Sequence, residues 1–182
     1  MRIHNIHHRA FHATRDELAA LLDGSDDRLW PHDGWPAMRF DRPLQVGASG
    51  GHGFVRYSVD AYDQGQRVVF RFAPDLGLVG THTFEAHSTG AGHCTLRHVI
   101  DARAEGAMRL LWPLAVRPLH DAVAEDALDR AELALHGTLP HPSRWSTRVR
   151  VLRRLLARRQ IAQPTAQPPN AEPHPPTGGT TG

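Results

Sequence analysis

Apolar residues recur along this chain with two different periods. Between Phe54 and Asp101 they alternate with polar ones, as in strands that bury one face. From Pro118 to His136 they fall three and four apart, as on a helix that buries one side. Turn chemistry divides the first region. Asp63-Gln64-Gly65-Gln66 separates Phe54–Tyr62 from Arg67–Phe72, and Ser88-Thr89-Gly90-Ala91-Gly92 separates Thr81–His87 from His93–Asp101, which predicts two hairpins. Pro74-Asp75-Leu76-Gly77 turns the chain between them. Upstream, Arg2–Phe11 is β-compatible, and Thr14-Arg15-Asp16-Glu17 is a capping box that opens a helix through Leu18, Leu21 and Leu22. A second short helix is expected over Asp26–Trp30, ended by Pro31. Downstream, a long helix is expected to begin near Ala107, to be broken or kinked at Pro113, to restart at Pro118 and to stop at Gly137. The sum is one α+β domain over residues 1–137, with a curved antiparallel sheet of six or seven strands and a long C-terminal helix.

Strand alternation assigns faces. Val55, Tyr57 and Val59 share one side with Val68, Phe70 and Phe72; Phe84, Ala86, Leu96 and Ile100 continue it, while Thr83, Glu85, Arg97 and Asp101 take the other. His82 and His98 fall on the apolar side. A loop centred on Gly90 would set them directly opposite one another, where they could hold a ligand carbonyl or act as acid and base. On the long helix, Leu119, Ala122, Val123, Ala127, Ala131 and Leu133 form an apolar arc, with Asp121, Glu125, Asp129 and Glu132 opposite it. Asp126 and Arg130 fall inside that arc, four residues apart, and can pair there; His120 leans the same way, and Trp112 stands beside Pro113.

The order of elements, together with Leu29-Trp30-Pro31, Gly51-His52-Gly53 leading into Phe54-Val55-Arg56-Tyr57, and Arg117-Pro118-Leu119-His120-Asp121, resembles the START-like (SRPBCC) helix-grip superfamily of polyketide cyclase/dehydrase-type and lipid-transfer proteins. The resemblance spans about residues 2–136. It implies a sheet wrapped round the long helix with a hydrophobic cavity between them, and seven strands, so that Arg39–Gly50 must supply the missing strand or leave a gap. It does not fix function. Its cavity would be lined by Tyr57, Phe70, Phe72, His82, Phe84, Leu96, His98 and Ile100 from the sheet, and by Trp112, His120, Val123, Asp126, Ala127 and Arg130 from the helix.

Composition narrows the partners. Up to Gly137 there are 14 Arg against 18 Asp and Glu; beyond it, 7 Arg against the single Glu172, so the basic character belongs to the C-terminal extension. No nucleic-acid footprint is expected on the folded domain. All 21 basic residues are Arg, and the use of Ala, Gly and Pro points to a GC-rich, bacterial genome. One cysteine and no apolar leader or span point to a cytoplasmic protein.

Three motifs fail on their surroundings. The glycine-rich Gly47–Gly53 lacks a Lys-Ser/Thr ending and leads into a strand, so a bend, a bulge or a cavity rim is expected rather than a phosphate loop. His4, His7, His8 and His12 lie in a strand without a metal-ligand spacing, so no metal or other cofactor is expected. Cys94 and His93 are adjacent in a strand and point to opposite faces, which rules them out as nucleophile and base.

After a Pro-bearing linker over 138–142, residues 143–161 carry Trp145, Val149, Leu152 and Leu156 at helical spacing, flanked by Arg144, Arg148, Arg150, Arg153, Arg154, Arg158 and Arg159. Such a helix either docks on its own acidic domain, the reading preferred, or lies on an anionic membrane surface. Residues 162–182, rich in Pro, Gly and Thr, are expected to be disordered. The expected function is binding of an apolar small molecule (lipid, polyketide or aromatic) by a carrier or sensor. The alternatives are a cyclase/dehydrase-type enzyme using His82 and His98, and a membrane-surface adaptor.

Overall fold

A computed structural model describes residues 1–22 and 28–162, the last five of these as backbone only. Seven strands form one antiparallel sheet: β1 (Arg2–Phe11), β2 (Arg39–Phe40), β3 (Ser49–His52), β4 (Val55–Asp63), β5 (Arg67–Phe72), β6 (Leu78–Gly90) and β7 (His93–Ala104). Their order across the sheet is β1-β7-β6-β5-β4-β3-β2. Four helices accompany it: α1 (Arg15–Leu22), α2 (Met108–Leu111), α3 (Arg117–His136) and α4 (Thr147–Ala162). The capping box forms as read: the Thr14 amide donates to Glu17 Oε2 at 2.8 Å, and the Glu17 amide to Thr14 Oγ1 at 3.3 Å. Arg39–Gly50 and its neighbours supply two strands, β2 and β3, beyond the five segments named from the pattern. Apolar alternation missed β3 because its pairing depends on glycine. A side chain at Gly50 would run into the Arg39 carbonyl, and one at Gly51 into the Val55 carbonyl.

The β6–β7 register differs from expectation by two residues. The turn is Ala91-Gly92 with a bulge between Ser88 and Gly90, so Phe84 lies opposite His98 and His82 opposite Ile100. A shift of two preserves the face, so both histidines still point inward, now diagonal to one another. Two rows cross the concave face: Asn5, Ile100, His82, Phe70 and Val59, and beside them His7, His98, Phe84 and Val68.

Pro113 does not break the long helix. Trp112–Val116 widens to a π-helical turn that joins α2 to α3, giving a continuous rod from Met108 to His136, closed by Gly137 in the left-handed conformation. The widened turn sends the Arg117 amide to Trp112 O, and Pro118 has no amide for Leu114 O. Arg148 of α4 donates Nη2 to both carbonyls bypassed in this way, Pro113 O at 3.0 Å and Leu114 O at 2.5 Å. The start of α4 is thus part of how the proline-bearing rod is completed.

The short helix expected over Asp26–Trp30 does not form where it can be seen. Arg28–Trp30 are turns, Trp30 donating Nε1 to Pro36 O at 3.0 Å, and residues 26 and 27 lie outside the described residues, as does the tail from Gln163 on. Leu133, placed on the apolar arc, is 48% exposed; the buried positions of α3 are Leu119, Val123, Ala124, Ala127, Leu128, Asp129 and Ala131.

Replacing Arg148 by Ala is expected to lower unfolding stability by about 1 kcal/mol, with partial recovery in Arg148→Lys, as read by urea denaturation. Unchanged stability would mean that water serves the two carbonyls equally well.

Candidate functional site

Three apolar clusters surround the middle of the concave face. Phe11, Leu18, Leu21, Leu96 and Leu128 gather under α1; Ile3, Phe72, Ile100, Met108 and Trp112 under α2; Ala48, Tyr57, Val59, Val68 and Phe70 under the β3 edge. Where they meet, the side chains are imidazoles. His82 is 7% and His98 4% exposed, and His120 of α3 has both ring nitrogens out of solvent. The rings form a continuous chain. His82 lies near-parallel to Phe70 (4.8 Å between centroids) and Phe72 (5.0 Å), with Tyr57 edge-on at 4.8 Å. His98 contacts Phe84 at 4.3 Å and His120 at 4.9 Å, and His120 reaches Trp112 at 6.1 Å.

The space expected to be an open apolar hollow is therefore occupied by rings. The prominent hollows lie on the outer side of α3: one of about 610 Å³ lined by Asp126, Ser143, Arg144, Trp145 and Arg150, and one of about 220 Å³ that includes Pro31, Asp129 and Arg130. Burial holds His82 and His98 well below the ordinary histidine range, helped by the charges of His120 and His52, so both are neutral at pH 7. Their one mutual contact, His82 Nδ1 to His98 Nε2, is long at 3.4 Å. The outward atoms, His82 Nε2 and His98 Nδ1, find no hydrogen-bond partner among the described residues.

Most residues expected at the site gather there: Tyr57, Phe70, Phe72, His82, Phe84, His98, Trp112 and His120 touch as rings, with Ile100 opposite His82 and Leu96 displaced toward α1; Val123 and Ala127 are buried on α3. Asp126 and Arg130 do not. They are on the outer side of α3 and do not pair. Asp126 Oδ2 accepts from the indoles of Trp35 (2.7 Å) and Trp145 (2.8 Å), and Arg130 donates to Arg28 O at 3.3 Å and lies 3.7 Å from Asp33. Burial pushes the Asp126 carboxyl up, more than the two indole donors draw it down. The correction comes from the helix's rotation, set by a polar seam between β1 and α3. Arg9 Nη1 donates to Asp129 and Glu132, each at 2.7 Å; His7 bonds Glu125 at 2.7 Å and Asp121 at 3.1 Å; Asn5 donates to Asp121 at 2.9 Å. The acidic face placed opposite the apolar arc is thus the face that grips β1, and Asp129 is 7% exposed.

Two members of the site escaped the sequence reading. His7 shares its parity in β1 with the buried Ile3 and Phe11, a signal that alternation does contain. His52 packs on Trp30 (4.6 Å) and Tyr57 (6.1 Å), with burial and the charges of His120 and Arg56 holding it down to about 4; nothing local marked it.

No protein-family model and no curated protein matches the chain. Solved structures do. CalU16 from Micromonospora echinospora superposes with TM-score 0.55 at 13% identity over 88% of each chain. A Thermobifida fusca protein gives 0.56 at 19% identity over 79% of this chain and 99% of its own. A conserved protein of unknown function from Enterococcus faecalis gives 0.54 at 11% identity over 88% and 86%. At these identities the likeness establishes the fold, and the helix-grip architecture read from the sequence is the one observed.

Acid should destabilise this fold early. His52, His82, His98 and His120 are all held below 6.5 in the folded chain, burial being the first cause in each. As pH falls below 6.5 the unfolded chain takes up protons that these four refuse, so stability drops. His7, held up by Asp121 and Glu125 against its own burial, opposes this. His52 by itself accounts for roughly 2 kcal/mol between pH 7 and 5. Chemical denaturation at the two pH values tests this, and equal midpoints would contradict it.

Proposed function

We propose that this helix-grip domain binds one small, partly apolar molecule between the sheet and α3, aromatic or polyketide in class, and that it acts as a carrier or sensor. The observation that carries the reading is the pair of buried nitrogens, His82 Nε2 and His98 Nδ1, with no hydrogen-bond partner among the described residues and enclosed by rings. An unmet buried polar atom costs about 1–3 kcal/mol; with one proton shared between the two neutral rings, one outward nitrogen is a donor and the other an acceptor, and a ligand that offers a carbonyl to the first and a hydroxyl to the second would remove that cost. Stacked Phe70 and Phe72 favour a flat ligand over an extended acyl chain. Because rings fill the interior, entry requires side chains to move. The β2–β3 edge, where only Arg39 and Phe40 pair, is the least secured border of the sheet. Binding is favoured over acid–base catalysis because imidazoles kept neutral so far below pH 7 are weak proton acceptors.

Native mass spectrometry of freshly purified protein should show one small-molecule adduct per chain. Added 1-anilinonaphthalene-8-sulfonate should bind at one equivalent, at least tenfold more weakly in His82→Leu and His98→Leu. Binding indifferent to both substitutions would refute the site.

A membrane-surface role has its own supporting observation, although not through the stripe expected for it. Val149 is 4% exposed, Trp145 packs on Trp35 at 5.8 Å, and Arg153 lies over Trp145 at 3.7 Å, so that side of α4 faces the domain. A different apolar set stays outside: Val151 (47%) and Leu155 (52%) of α4, and Leu110 (69%), Leu111 (48%) and Leu114 (61%) of the rod whose Leu114 carbonyl Arg148 of α4 meets. Arg109, Arg144, Arg148, Arg150 and Arg154 are exposed as well, while the side chains of Arg158 and Arg159 lie outside the described residues. Among the described residues no helix is long and apolar enough to cross a membrane, so this surface would lie against one. Sedimentation with phosphatidylcholine vesicles containing 30% phosphatidylserine should retain the full chain at low salt and release the Leu110→Asp/Leu114→Asp variant. Equal retention of both would end this reading.

A further inference from the structure

At the β1 edge of the histidine interior, His7, His120 and Asp121 each offer one ligand atom, and the three atoms lie within 4.8 Å of one another. His7 Nε2 is 3.1 Å from Asp121 Oδ1, and His120 Nδ1 is 3.7 Å from the same oxygen. Around a tetrahedral ion with bonds near 2.0–2.1 Å, ligand atoms stand about 3.3–3.4 Å apart. The spacings bracket that value.

His7 has its other nitrogen fixed. Nδ1 is 2.7 Å from Glu125 Oε1 and donates its proton there, which directs the Nε2 lone pair at Asp121 Oδ1. A lone pair and a carboxylate oxygen at 3.1 Å need a cation between them. A second proton on His7 would serve, and that would account for His7. It would not account for His120. This imidazole is enclosed, beside His98 at 4.9 Å and His7 at 5.7 Å, and neither of its nitrogens has a hydrogen-bond partner among the described residues. A metal ion bonded to its Nδ1 gives His120 a partner and draws the 3.7 Å spacing in.

We propose that His7, His120 and Asp121 form a binding site for a divalent first-row transition ion, with Zn²⁺ the one these spacings suit, in which Glu125 fixes the tautomer of His7. Two imidazoles and one carboxylate make a donor set for such ions rather than for Mg²⁺ or Ca²⁺, and three protein ligands leave a position open to solvent or a bound molecule. Asn5, donating to Asp121 Oδ1 at 2.9 Å, uses the second lone pair of that oxygen and steadies it. The site does not depend on the small-molecule reading. It gives the β1–α3 seam a role beyond fastening the helix.

The test is metal binding by the full chain. After chelator treatment, Zn²⁺ titrated against a chromogenic competitor should bind at one tight equivalent. His120→Ala and Asp121→Asn should each weaken that equivalent at least a hundredfold, and Glu125→Gln between ten- and a hundredfold. The triple variant His4→Ala/His8→Ala/His12→Ala, removing the other β1-region histidines, should leave it unchanged. Co²⁺ should show the intense visible absorption of a four-coordinate ion. Circular dichroism controls folding, and His120→Gln replaces any variant that fails it. No tight equivalent, one lost with the triple variant instead, or the weak spectrum of six-coordinate cobalt would each overturn the site, whatever the small-molecule experiments return.

Discussion

Arg9 stands near the C-terminal end of β1 on the face turned toward α3, and its guanidinium is shared by Glu125, Asp129 and Glu132. With Asn5 and His7 on one side, it forms a ladder in which alternate residues of a strand meet successive turns of a helix. Apolar packing alone would let α3 roll about its axis; this ladder does not, because an unpaired charge at Asp129, 7% exposed, is costly. Fixing the roll fixes everything α3 carries. His120 comes to face His98 and Trp112, the alanines and Leu128 go down onto the sheet, and Asp126 goes outward to Trp35 and Trp145.

The interior over which α3 is held is unusual in being polar at its centre and apolar around it. Three apolar clusters supply the stability, and the imidazoles at their junction are kept neutral by the burial those clusters create. Neutral imidazoles with unmet nitrogens are poor core residues but adaptable hydrogen-bonding partners. Under the proposed function such a site would exchange some stability for the capacity to recognise a guest; the burial that keeps the rings neutral also makes the fold sensitive to acid.

On the other side of α3, the segment after Gly137 is part of the domain. Asp129 accepts from the Ser143 amide at 2.6 Å and its hydroxyl at 3.1 Å, Asp126 from Trp145, and Arg148 completes the carbonyls left by the π-helical turn and Pro118. Two of the acids on α3 thus hold the extension in place, and the extension in turn meets the two carbonyls that the prolines leave open. This binding turns the predicted apolar stripe of α4 inward and leaves Val151 and Leu155 outside.

By itself the sequence determined whatever depends on near neighbours. Strand alternation, the Thr14–Glu17 cap, the two hairpins and the stop at Gly137 are settled within a few residues, and the inward facing of His82 and His98 survived a register error because a shift of two keeps parity. Tertiary structure alone decided what depends on a distant partner. The glycines of β3 make a strand only where neighbouring carbonyls approach closely. The Pro113 break became a π-helical turn completed by Arg148. The acidic side of α3, which the helical pattern places only as opposite the apolar arc, became the side that grips β1, a role that nothing local announces because Arg9 and His7 lie more than a hundred residues away along the chain.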